Sequence, residues 1–226
     1  MSPLAPDLII QRISKHISST SRSVAKVWLS AEDDEDTITG HFCGQLQKSW
    51  SKSIDADGKH WRWRIKYKKF RGRGSGAFET QAGADGLIQV EIQDRDSDTI
   101  QSKGMLFQSK KRKLAHGKAI IAQASNMERL APQGSAIFVY GPERFRAVAS
   151  GDFLKGGDGM SPSQPRELEE IGHFLGGSFL GCIVGMRGLY YDAMHNRLII
   201  PNSDGSISHY RFDLGHRVRI EIHASS

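Results

Sequence analysis

Residues 76–113 read GAFETQAGADGLIQVEIQDRDSDTIQSKGMLFQSKKRK. Ile88, Val90 and Ile92 alternate with Leu87, Gln89 and Glu91, which predicts a strand over residues 84–93. DRDSD at 94–98 then reads as a polar turn, since it lacks the glycine and the terminal glutamate of a calcium-binding loop. GMLFQSKK predicts a second strand, antiparallel to the first. Asp85 opens one strand and Gln108 and Lys110 end the other, so pairing brings the three to one end of the hairpin. Spacing of two sends Gln108 and Lys110 to one face and Phe107 and Ser109 to the opposite face.

Hydrolysis of a phosphodiester needs oxygen ligands for a hard divalent cation, a source of hydroxide, and positive charge on the developing phosphorane. Asp85 offers an anionic ligand, Gln108 a neutral carbonyl oxygen, and Ser109 its backbone carbonyl. Lys110 is placed to hold the attacking water or to stabilise the transition-state charge. Glu79, upstream of Asp85 on a helix or turn, is placed to bind the same metal directly or through water. Glu91 is not: along a strand at roughly 3.3 Å per residue it falls about 20 Å from Asp85, far beyond ligand distances near ~2 Å.

ExxxxxD followed by a hairpin ending in QxK, carried here by Glu79, Asp85, Gln108 and Lys110, resembles the PD-(D/E)xK or restriction-endonuclease-like superfamily. The glutamine resembles its Mrr-like branch, where an amide replaces the motif's acidic residue. GAFETQAGAD, the apolar strand, FQSKK and a following helix with Gln123 are also similar to nuclease-like proteins of prokaryotic defence loci. The resemblance covers about residues 60–150 and departs from the pattern at Ala84, where the motif proline would stand. It implies an α/β fold with a mixed β-sheet flanked by helices, and a Mg²⁺- or Mn²⁺-dependent endonuclease acting on nucleic acid, DNA before RNA, in antiviral defence. Glu79, Asp85, Gln108 and Ser109 would be the metal ligands, with Lys110 completing the catalytic set.

Outward from the hairpin, Leu8, Ile9, Ile13 and Ile17 recur at helical spacing over residues 6–20, with Asp7 as cap and SSTSRS at 18–23 as a loop. Phe42, Leu46 and Trp50 predict a second helix. Downstream, a helix over 116–131 precedes the strands SAIFVY (135–140) and FRAVAS (145–150), and the Gly-, Ser- and Pro-rich residues 151–165 read as a linker or mobile loop. RELEEIGHFLGGSFLGCIVG reads as a helix, NRLIIPNSDGSISHYRF as a hairpin around an Asp-Gly turn, and VRIEIH as a closing strand. The expected organisation is a helical extension over 1–55, a nuclease core over 56–155, and a helix plus hairpin over 156–226 that completes the domain.

The formal net charge is +6, which favours a polyanionic partner. Trp61, Trp63, Ile65 and Tyr67 alternate with Arg62, Arg64, Lys66 and Lys68, so a strand here presents a basic column opposite its aromatics. The same column also suits the solvated face of an edge strand. Arg71 and Arg73 in RGRGSG, and Lys111, Arg112 and Lys113 beside the site, extend the basic surface expected to contact phosphates. Two distant cysteines, Cys43 and Cys182, give neither a disulfide framework nor a zinc cluster. The amino terminus lacks a long apolar leader and no apolar run approaches a membrane span, so a cytoplasmic protein is expected. Partners beyond nucleic acid are a second copy or a defence protein that triggers it. Two alternatives to a free-standing nuclease stay open: a binding module with a degenerate nuclease fold, and a subunit that acts only with a partner.

Overall fold

A computed structural model describes residues 4–27, 34–70, 82–112, 117–155, 168–211 and 214–226. The hairpin lies at its centre. Strand β3 (Gly86–Asp94) pairs antiparallel with β4 (Thr99–Lys111), with Gly86 opposite Phe107. Both of its faces are covered, so odd and even residues alike are apolar near the site end. Ile88, Val90, Met105 and Phe107 enter one core cluster, and Leu87 and Leu106 the other. Phe107 is fully buried and stacks on Phe138 at 4.8 Å; truncating such a ring costs about 3–5 kcal/mol.

The other elements are the helices α1 (Asp7–Val27), α2 (Glu35–Gln45), α3 (Lys118–Leu130), α4 (Ser150–Lys155) and α5, which starts as Ile171–His173 and continues as a π-helical turn over Phe174–Leu180. The strands are β1 (Ile54–Ala56), β2 (Lys59–Lys69), β5 (Ser135–Tyr140), β6 (Phe145–Ala149), β7 (Glu169–Glu170), β8 (Met186–Arg187), β9 (Tyr190–Asp192), β10 (Arg197–Pro201), β11 (Ile207–Tyr210) and β12 (His216–Ser225). Among the described residues nine strands form a mixed sheet in the order β1-β2-β12-β3-β4-β5-β6-β7, with β8 on β4, and β9 to β11 form a separate small sheet. The protein is therefore α/β, with helices flanking a mixed sheet.

Strand β12 inserts between β2, to which it is antiparallel, and β3, to which it is parallel. Its alternation explains the fit. Val218, Ile220 and Ile222 join the core on the side of α1, α2 and α5, while Arg217, Arg219, Glu221 and His223 face the other way. The second core lies on that opposite side, where α3, α4 and the small sheet cover Leu87, Leu106, Ile137 and Val139. Among the described residues no helix is long and apolar enough to cross a membrane.

Three expectations need correction. SSTSRS is not a loop but the middle of α1. Serine is a modest helix former, but here Ser18 Oγ donates to Glu170 at 2.6 Å and Ser21 Oγ accepts from the Phe145 N–H at 3.4 Å, so tertiary bonds decide. A side chain on Gly172 would collide with Ser18, which shows how closely α1 and α5 approach. The second correction concerns the segment after 168: Glu169 and Glu170 pair with β6, and helix begins only at Ile171, capped by the Glu170 carboxylate. Third, residues 151–155 finish α4, while 156–167 lie outside the described residues; Trp50 likewise falls beyond α2, along the outer edge of β2.

Candidate active site at the end of β3 and β4

Asp85 is held by its backbone before its side chain does anything. Its N–H donates to the Phe107 carbonyl at 2.8 Å and its carbonyl accepts from His216 N at 3.1 Å, so it is clamped between β4 and β12. Gly86 permits that approach, because a Cβ there would lie 2.4 Å from the His216 carbonyl oxygen.

The carboxylate gathers the end of β4 around it. Oδ1 accepts from Gln108 Nε2 at 2.9 Å, and Oδ2 accepts from the Ser109 N–H at 2.7 Å and from the Ser109 hydroxyl. Ser109 points to the α2 side as alternation predicts, and Asp85 nevertheless meets residues of both strand faces. The strand-end carboxylate straddles the edge between the two faces. Ser109 Oγ is also 2.8 Å from Thr39 Oγ1, which lies 3.1 Å from the Tyr140 hydroxyl. Burial, with the Asp85 charge adding to it, pushes the Tyr140 phenol up; burial and then Asp85 push the Cys43 thiol up as well. Both stay protonated beside the carboxylate.

Gln108 is 1% exposed. Its amide nitrogen also lies 3.3 Å from the Ser109 carbonyl, whereas its Oε1 is buried without a hydrogen-bond partner among the described residues. Burying an amide oxygen unpaired costs on the order of 1–3 kcal/mol, and such an atom in a polar site asks for an explanation.

Lys110 meets a residue the sequence reading did not select. Its Nζ lies 2.8 Å from Glu35 Oε2, with the two side chains 14% and 22% exposed, and Glu35 Oε1 accepts from the Lys111 N–H at 3.0 Å. Glu35 occupies the first turn of α2, where Asp34 caps the helix through Thr37 N at 2.6 Å. The next residue, Asp36, takes the His216 imidazole at 2.8 Å and Lys69 at 2.6 Å; the other His216 ring nitrogen meets the Tyr67 hydroxyl at 2.8 Å. The run EDDED carries more acid than one helix cap uses, and that surplus was the available signal.

Glu79, Arg71, Arg73 and Lys113 lie outside the described residues. Glu91 stands away from the site, bound to Arg219 and Gln89. The basic column on β2 exists, but it is partly occupied. Arg64 pairs with Glu221, Lys66 lies 3.1 Å from the same carboxylate, and Arg219 joins Glu221 to Glu91. Burial alone would raise the Glu221 carboxyl, yet the bonds from Lys66 and Arg64 hold it below its ordinary value. Arg62 and Lys68 make no ion pair among the described residues; Arg112 is exposed beside the site.

Among the described residues no three His, Cys, Asp or Glu side chains cluster as a metal centre. The available donors at the strand end are all oxygens: the Asp85 carboxylate, the Gln108 amide oxygen and the Ser109 carbonyl. That donor chemistry fits a hard cation such as Mg²⁺ or Mn²⁺ rather than zinc. Comparisons with protein-family models, curated proteins and solved structures find no match to this chain.

Proposed function

We propose that the chain is a metal-dependent nuclease of the restriction-endonuclease-like kind, with its site where β3 and β4 end. The observation that carries this reading is the contact of Gln108 with Asp85 at the strand end, with Lys110 two residues further along β4 and the buried Gln108 Oε1 lacking a partner among the described residues. Asp85, the Gln108 amide oxygen and the Ser109 carbonyl would hold Mg²⁺ or Mn²⁺, with Glu79 as a further candidate ligand. The bound ion supplies Lewis acidity and a more acidic water. Lys110 would supply positive charge at the strand end, where Glu35 fixes its ammonium. Lys111 and Arg112 continue the positive surface from the site, and Arg62, Arg64, Lys66 and Lys68 lie on β2 of the same sheet. The resemblance of the ExxxxxD…QxK pattern supports DNA as substrate, antiviral defence as setting and the cytoplasm as location; two free cysteines accord with a reducing compartment.

A second reading is favoured by a specific feature: both Asp85 oxygens and both Glu35 oxygens accept bonds from protein donors. A site so closed on itself fits a binding module, or a subunit opened by a partner. The deciding experiment compares wild type, Asp85→Ala and Lys110→Ala on supercoiled and linear duplex DNA, single-stranded DNA and RNA, with Mg²⁺, Mn²⁺ or EDTA. Metal-dependent cutting lost in both variants supports the nuclease; intact substrates throughout, with binding retained, favour the closed reading.

A further inference from the structure

We propose that the opposite end of the same sheet carries a separate phosphate-binding pocket, formed by Arg62, Arg95, His223, Ser53 and Ser225. The register assembles it. His60 pairs with Ser225 and Arg62 with His223, so these four are neighbours on the face opposite Val218 and Ile220. Arg95, from the turn between β3 and β4, is tied there by its N–H to the Ala224 carbonyl at 3.0 Å, and Ser53 closes the other side from the segment before β1. Together they line a cavity of about 400 Å³, the size of a nucleotide-scale ligand.

Charge selects the ligand. The carboxylates around the rim are already satisfied: Lys59 lies 2.6 Å from Asp94 and 3.5 Å from Asp96, and Asp55 lies 2.5 Å from His60. Arg62 and Arg95 make no ion pair among the described residues. Arg95 Nη2 donates to His223 Nδ1 at 3.2 Å, which leaves the ring proton on Nε2 as a further donor. Burial first, and then the Arg95 charge, hold the imidazole below its ordinary proton affinity, a repulsion that an anion in the pocket relieves. Trp50 fixes the wall, its ring 4.3 Å from His223 and with Arg62 5.7 Å from its centroid. Two guanidiniums, an imidazole N–H and two hydroxyls make a donor set for phosphate oxygens. The phosphate belongs either to a free monoester or to a nucleic-acid strand, which the column from Arg62 to Lys68 would guide over about 20 Å of β2. The pocket does not depend on any cutting at the other end.

The test is an amide NMR titration in EDTA with inorganic phosphate, a nucleoside 5′-monophosphate, and a single-stranded oligonucleotide without terminal phosphate. The expected result is saturable shifts at Arg95, His223 and Ser225. The Kd should rise about tenfold or more in Arg95→Ala and stay unchanged in Asp85→Ala. Arg62→Gln applies the same test from the opposite wall if Arg95→Ala loses its dispersed spectrum. Tighter binding of the two small phosphates assigns a monoester, and tighter binding of the oligonucleotide assigns a strand. The proposal is overturned by the absence of saturable shifts at these amides with all three probes, by indifference to the arginine substitutions, or by equal weakening in Asp85→Ala.

Discussion

The two ends of the central strands place polar groups in opposite economies of charge. At the site end the largely buried polar groups bond one another at short range, Asp85 with Gln108 and Ser109, and Lys110 with Glu35. At the far end, Arg62 and Arg95 stand exposed with their nearest carboxylates engaged elsewhere. One sheet therefore offers carboxylate and amide oxygens at one extremity and N–H donors at the other. Burial makes the first end sensitive to single substitutions, whereas solvent makes the second sensitive to salt.

The largest expected contrast comes from Asp85→Ala, which should lower metal-dependent cutting by on the order of 10³-fold, measured as initial rate on plasmid, while phosphate shifts at Arg95 persist. Next, Glu35→Ala leaves the Lys110 ammonium poorly solvated without its counter-charge. Urea denaturation should show a loss of about 2–3 kcal/mol; an unchanged midpoint would mean that the pair is replaced by water at no cost.

Acid probes the same region. The His216 imidazole is held below 6.5, chiefly by burial, so its stabilising contribution is complete above that value. As pH falls below it, the unfolded ring takes a proton the folded ring refuses, and stability falls by up to about 1.4 kcal/mol per pH unit for that proton. His223, also lowered first by burial, acts in the same direction. Asp36 adds the same sign at lower pH: burial acts upward on it, yet Lys69 and His216 hold it below 3.8. His216→Gln should flatten the slope between pH 7 and 5.5, read by thermal melts across buffers. The smallest effect belongs to Lys68→Ala, which should change stability by less than about 0.5 kcal/mol. It should reduce the salt slope of oligonucleotide binding by about one.

Local alternation made much of this fold readable. SAIFVY forms β5 as expected, the Asp-Gly turn joins β10 and β11, and the basic and aromatic rows of β2 fall on opposite faces. What alternation cannot express is who pairs with whom. VRIEIH looks the same as an edge strand or as the central strand it is, because a period of two carries no partner information. Glu35 and Asp36 were hidden for the same reason: their roles arise from Lys110 and His216, far away in sequence. SSTSRS is helical because Ser18 is recruited by Glu170 and Ser21 by the Phe145 N–H, residues far away in sequence, rather than by their own turns.

The central position of β12 also sets an order of events in time. The Asp85 carbonyl is bound by His216, about 130 residues later in synthesis, and pairings of such sequence separation close late. Until β12 emerges, β2 and β3 have no shared neighbour and the Asp85 backbone is held only on its β4 side. A chain still on the ribosome short of residue 216 thus holds every candidate ligand while the second backbone contact of Asp85 is still missing, so the strand end takes its final form after most of the synthesis.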